Sequence, residues 1–229
     1  MTRRLLTIAF AATATAGAAV AIATGSTAAR TEIPVVKCPT LYGLGRDQYM
    51  IPSLPRSLSA SVTPDEARRV SFYSDGWLTV LAPHGWHCTG VVGATGALDL
   101  VVVPSGVSSS RGLPDRRAAA VTARIPSPET GEVGGDVCSL FPDATPVPDS
   151  PCPAAATRER VVRLTATTVA YEDPPHVVGN GDPSGGPDPA NGVAVYAHSR
   201  AAEATCTLPQ PEHATCTLIL NDFLVRHRF

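Results

Sequence analysis

The chain is 229 residues long with a formal net charge of −2, so it lacks the basic footprint that nucleic acid or an anionic membrane surface selects. Set apart from an N-terminal leader, its length suits one domain of ordinary size or two small ones. Lys37 is the only lysine against seventeen arginines, and with the heavy Ala, Gly, Pro and Val usage this reflects a GC-rich coding genome rather than any fold.

Arg3 and Arg4 make a short basic start. An apolar run follows from Leu5 to Gly25, and small residues then supply a cleavage site after Ala29, with Thr27 and Ala29 at the two positions a signal peptidase reads. This is the three-part layout of a secretory signal. The run could span a bilayer at about 20 residues. Its Ala and Thr insert weakly beside Leu and Ile, however, so residues 1–29 are read as a cleaved leader rather than an anchor. Arg3-Arg4 after Thr2 faintly resembles a twin-arginine signal, but so short a basic region fits the general route. Val35-Val36-Lys37-Cys38 is not a lipobox, and FLVRHRF carries neither a sorting signal nor an apolar tail. The expectation is a secreted product with no stable membrane anchor, free or loosely held at the envelope. Cleavage leaves residues 30–229 as a single secreted domain of net charge −4, since only Arg3 and Arg4 are lost.

Residues 30–60 are punctuated by proline and read as mostly irregular. In TPDEARRV, Thr63 can cap a helix, Pro64 suits its first position and Glu66 completes a capping box, which predicts a short helix from Pro64 to about Ser71. Asp75-Gly76 is a turn signal, after which WLTVLA, HCTGVV and ALDLVVV read as three short strands of a β-meander punctuated by glycine. Residues 104–117 form a polar loop. AAAVTARI fits helix or strand, and the five prolines of 141–153 mark a surface loop. RVVRLTATTVAYE reads as one strand and NGVAVYAHS as another. In the tail, Cys216, Ile219, Leu220, Phe223, Leu224 and His227 recur at helical spacing, with Pro211 and Glu212 at the start. The sum is an α+β fold: a strand-rich, disulfide-stapled domain with a short helix in its first half and a C-terminal helix.

Cys38, Cys88, Cys138, Cys152, Cys206 and Cys216 follow an export signal, and their even number argues for three disulfides among fifteen possible pairings. Short-range closure favours Cys206–Cys216 and Cys138–Cys152, leaving Cys38–Cys88. A zinc site is the weaker reading, because no CxxC pair exists and His87-Cys88 supplies too few ligands at useful spacing.

The stretch from Glu172 to Gly192 has no periodicity, and a loop of its length is usually functional or disordered. Its GDPSGGP resembles the GDSGGP nucleophile loop of trypsin-like serine proteases with a proline inserted, and His87, Asp99 and Ser184 stand in the right chain order. Yet Pro183 directly precedes Ser184, and Asp182 takes the place of the glycine whose N–H completes the oxyanion hole, so the loop geometry should not survive. The eleven residues between His87 and Asp99 are also too few for the protease barrel. Asn180, Asp182, Ser184 and Gly185 fall at the first, third, fifth and sixth places of a calcium loop. The first place lacks Asp and the twelfth is Asn191, so a Gly/Pro-rich connector is preferred. Trp77 and Trp86 read as core aromatics beside a disulfide, with His84 and His87 at the strand edge. His176, His198, His213 and His227 are scattered. No catalytic, cofactor-binding or metal-ligating residue is assigned.

Together, FYSDG, LAPHGWHC, GDPSGGPDPANGV and CTLPQPEHATCTLILNDF resemble a family of uncharacterised secreted proteins from high-GC Gram-positive bacteria, over most of residues 36–226. The resemblance implies secretion and a shared disulfide-bearing fold, and supplies no catalytic residue. The functional expectation is a non-enzymatic binding or cell-envelope interaction module, its partner an extracellular or envelope protein, with no cofactor and no nucleic acid. The alternative is a secreted serine hydrolase using Ser184.

Overall fold

In a computed structural model of the chain, residues 30–42, 47–48, 53–107, 119–127, 140–141, 160–177, 186–198 and 200–227 are described. The expected leader, Cys138, Cys152 and the segment 178–185 that holds Ser184 lie outside them.

Residues expected to be irregular instead open with strands β1 (Arg30–Lys37), β2 (Thr40–Tyr42), β3 (Asp47–Gln48) and β4 (Ser57–Ser61). Pro34 does not break β1, because there the strand changes partner: Arg30–Pro34 run antiparallel to β4, and Val35–Lys37 run parallel to β5 (Val70–Ser74). Helix α1 has the predicted capping box, Thr63 with Glu66, but spans only Pro64–Ala67. Val70 and Ser71, assigned from sequence to that helix, are fully buried in β5 as the chain enters the core. A 3.6-residue pitch cannot bury five consecutive side chains as β5 does, between two layers.

A meander is present, but not from the three strands expected: HCTGVV and ALDLVVV join it, while WLTVLA pairs back onto β5 in the other sheet. β6 (Thr79–Pro83) pairs with β5, and β7 (His87–Val92), β8 (Leu98–Val103) and β9 (Ala120–Ile125) run antiparallel in sequence. A second antiparallel run comprises β10 (Arg160–Thr165), β11 (Thr168–Asp173), β12 (Ala190–Ala197) and β13 (Arg200–Thr207). RVVRLTATTVAYE is thus a hairpin rather than one strand. It turns at Ala166-Thr167, where Thr165 Oγ1 accepts the N–H of Thr167 in place of the glycine or asparagine a reader looks for. The two runs meet where β13 pairs with β9, giving a nine-stranded sheet ordered β10-β11-β12-β13-β9-β8-β7-β2-β3 beside a four-stranded sheet ordered β4-β1-β5-β6. β2 is parallel to β7, so the first strand pair crosses from the small sheet into the large one, and Cys38–Cys88 clamps the crossing.

The core lies between the sheets: Ile33, Phe72, Leu81, Leu100, Val121 and Val193 meet there. Helix α2 (His213–Arg226), entered through a 3-10 turn at Gln210–Glu212, closes it with Cys216, Ile219, Leu220 and Phe223. Cys206–Cys216 ties the helix to β13. Four of the six cysteines are therefore paired as expected. Trp77 is not a core residue. It stands in the β5–β6 turn at 41% exposure, whereas Trp86 packs partly buried against the core. The turn is built by Asp75, whose Oδ1 accepts the N–H groups of Trp77 (2.9 Å) and Leu78 (2.7 Å), with Gly76 at φ 96°. That turn holds residue 77 away from the sheet interface.

Candidate functional site

Of the two histidines marked by LAPHGWHC, His84 serves the turn between β6 and β7 and His87 opens β7, exposed. Tyr73 Oη donates to Pro83 O (2.8 Å) and accepts from Trp86 N (3.0 Å), and Gly85 takes φ 80°. Ser71 Oγ lies 2.8 Å from His84 Nδ1. A serine–histidine contact invites a nucleophile reading, but Ser71 is 0% exposed and the pair braces the hairpin. The trypsin-like arrangement does not assemble. His87 stands opposite Val103 and Asp99 opposite Val91, at the two ends of one strand pair. Four residues of strand separate them by about 13 Å. Asp99 instead forms an ion pair with Arg124 on β9, N···O 3.3 Å.

That ion pair belongs to the face of the large sheet turned away from the core. Arg124 stands between Asp99 on β8 and Glu203 on β13. Tyr171 lays its ring across Gly192 of β12 and donates its hydroxyl to Glu203. A Cβ at Gly192 would sit 2.0 Å from Tyr171 Cζ, so glycine is what lets the ring cross. Thr122 and Thr205 hydroxyls meet at 2.5 Å in the next row. Opposed charges and hydroxyls in register across strands hold a sheet together, and this row has that role.

The same face ends in a cleft of about 320 Å³ at the turns of the β10–β11 and β12–β13 hairpins, lined by Phe141, Arg163, Ala166, Thr167, Tyr196, Ala197 and His198. Phe141 and Tyr196 form its aromatic wall, ring centroids 5.7 Å apart at 39°. The Arg163 guanidinium carbon lies 5.6 Å from the Phe141 centroid, and its NH1 donates to Ala166 O at 3.3 Å. Tyr196 N donates to Thr167 O at 2.9 Å and joins the two turns. Ala197 pairs with Arg200, so the β12–β13 connection is the two residues His198-Ser199. Such a turn calls for positive φ and usually takes Asn or Gly. Here His198 adopts φ 52°, a conformation that costs roughly 1–2 kcal/mol for a residue with a Cβ. Among the described residues the other non-glycine position at positive φ is also a histidine, His176 at 65°, just after β11; Glu172 and Asp173 lie in that strand and Ala190–Gly192 in β12, so the loop expected over 172–192 is shorter at both ends.

Chemically the cleft offers a permanent cation, an imidazole, two aromatic faces and two hydroxyls, with no carboxylate among its lining residues. Apolar walls with a few placed polar groups are the make-up of a small-molecule pocket. None of these residues was singled out from sequence for this purpose. NGVAVYAHS reads as a strand that runs through His198, and the turn His198 makes is hidden because the strand after it is not recognisable.

Of the calcium reading, Asn191 is described, and it lies inside β12 between Glu172 and Cys206. A calcium loop needs a bidentate carboxylate at that place. Among the described residues no group of three His, Cys, Asp or Glu is placed to hold a metal ion, and no helix is long and apolar enough to cross a membrane. No protein-family model matches the chain, and no curated protein or solved structure shows significant similarity to it.

Proposed function

We propose that the chain is a secreted, non-enzymatic binding module of the cell envelope that recognises its ligand at the cleft between the hairpin turns. The observation that carries the reading is the convergence of Phe141, Tyr196, Arg163 and a strained His198 on one concave surface. Strain held in place by a rigid sheet is the mark of a preorganised contact. Export is supported by the leader layout of residues 1–29 and by two disulfides, which persist outside a reducing cytosol. The resemblance to secreted proteins of high-GC Gram-positive bacteria points the same way. An arginine beside aromatic walls selects an anionic group on a flat apolar body.

Titrating the mature protein with benzoate, glucuronate and inorganic phosphate tests this by amide chemical shifts. Benzoate is expected to move Tyr196, Ala197 and His198 and to lose its effect in Tyr196→Ala. No shift with any of the three removes the cleft as the ligand site. A fluorophosphonate label that disappears in Ser184→Ala would replace the binding module with the hydrolase.

A further inference from the structure

We propose an internal water site at the junction of the two sheets, where one water molecule bridges Asp75 Oδ2 and Thr40 Oγ1 above Gly90. The site is independent of the cleft. Two buried oxygens carry it. Asp75 is 0% exposed and Thr40 1%, and neither Oδ2 nor Oγ1 has a hydrogen-bond partner. The other carboxyl oxygen, Oδ1, already accepts the N–H groups of Trp77 and Leu78. A buried polar atom left without a partner costs as much as a lost hydrogen bond, and internal water is the usual means by which a folded chain avoids that cost.

The fold brings the two oxygens to one place. Thr40 on β2 and Gly90 on β7 are partners in a parallel pair, so their side-chain positions lie on the same face. Asp75 reaches that face from the β5–β6 turn, since a Cβ on Gly90 would stand 2.5 Å from Oδ2. Neighbouring strands lie about 4.8 Å apart, which puts Thr40 Cβ at about that distance from the same point. Oδ2 and Oγ1 therefore border one small space without bonding each other. The rung before it is closed by Cys38–Cys88, two residues back on each strand, and Cys38 is 0% exposed. Water reaching the site is thus held there.

The chemistry of the pair selects water. A carboxyl oxygen accepts when ionised and donates when protonated, and a threonine hydroxyl does either, so a water matches both states of Asp75. Calcium or magnesium takes six or more oxygens, and among the described residues no group of three His, Cys, Asp or Glu is gathered for a metal ion. The water joins β2 and β7 of the large sheet to the turn that ends β5 of the small one.

The test uses the mature chain and rotating-frame cross-relaxation between water and protein protons. Wild type is expected to show a cross-peak from an α-proton of Gly90 to a slowly exchanging water, which oxygen-17 relaxation dispersion counts. Thr40→Val keeps the shape of threonine without its hydroxyl and should lose the cross-peak and one water from the count. Thr40→Ser should keep both. A wild-type protein without the cross-peak, or a Thr40→Val variant that retains it with an unchanged count, overturns the proposal. So does a crystal structure in which Thr40 Oγ1 bonds Asp75 Oδ2 directly. The wild-type measurements decide the matter even if Thr40→Val does not fold.

Discussion

Asp75 shows how much structure one side chain can organise at a cost to itself. One carboxyl oxygen makes the β5–β6 turn, while Oδ2 is buried with no hydrogen-bond partner and lies against Gly90, where a Cβ would stand 2.5 Å away. Thr40, opposite Gly90 on β2, is likewise buried with an unpartnered hydroxyl. Burial outweighs the two N–H donors and raises the Asp75 pKa above its usual 3.8. The folded chain then holds this proton more tightly than the unfolded chain. Its contribution is largest below pH 3.8 and is lost as pH rises through the folded value. Burial raises the Asp222 pKa too, so wild type must be compared with Asp75→Asn, which keeps the Oδ1 acceptor and cannot ionise. Across that window, urea denaturation should show wild type weakening relative to the variant as pH increases. Parallel curves would mean that Asp75 ionises normally. Asp75-Gly76 announced the turn in the sequence, but the buried oxygen was not legible, because it depends on β7 passing overhead.

At the scale of the element, α2 was the most legible part of the chain. Its apolar residues recur every three or four positions, and the structure buries Cys216, Ile219, Leu220 and Phe223. The helix is held at its far end by Arg226, which bonds Asp222 (2.6 Å), donates to Ser59 O (2.9 Å) and lies 4.1 Å over the Phe72 ring. The phase of the helix makes a sharp prediction. Phe223→Ala should cost about 3–5 kcal/mol of stability, while Val225→Ala, two residues on and 56% exposed, should stay within about 0.5 kcal/mol. Equal losses in chemical denaturation would mean that the helix is rotated. β5 and β13 were hidden for opposite reasons. β5 is buried on both faces and does not alternate, and RAAEATCT is rich in alanine, whose strand propensity is low. β13 is a strand because β12 and β9 flank it. The cleft was illegible for a related reason: Phe141, Arg163 and Tyr196 come from three distant segments that only the hairpin turns bring together.

For the whole molecule, the fold class was readable from counts of strand-like runs and from the cysteines, but the division into two sheets was not. That division depends on β1 changing partners at Pro34, which is a property of the assembled sheets. The two disulfides make unequal contributions. Cys38–Cys88 closes a separation of 50 residues and Cys206–Cys216 one of 10. On chain entropy the first is worth about 4 kcal/mol and the second about 3 kcal/mol. Replacing each pair by alanines should give thermal midpoints in that order, with the Cys38/Cys88 variant the less stable; the reverse order would place the main restraint at α2. A last consequence follows from the bond between Arg226 and Ser59, 167 positions apart. Synthesis delivers a chain from its beginning, and β1, β4 and β5 emerge long before the helix that completes their core. The small sheet can close its core only once the large sheet and then the helix have followed it. Contacts so distant in sequence favour slow folding, and the interval before they form is when such a chain is most exposed to proteases and to aggregation.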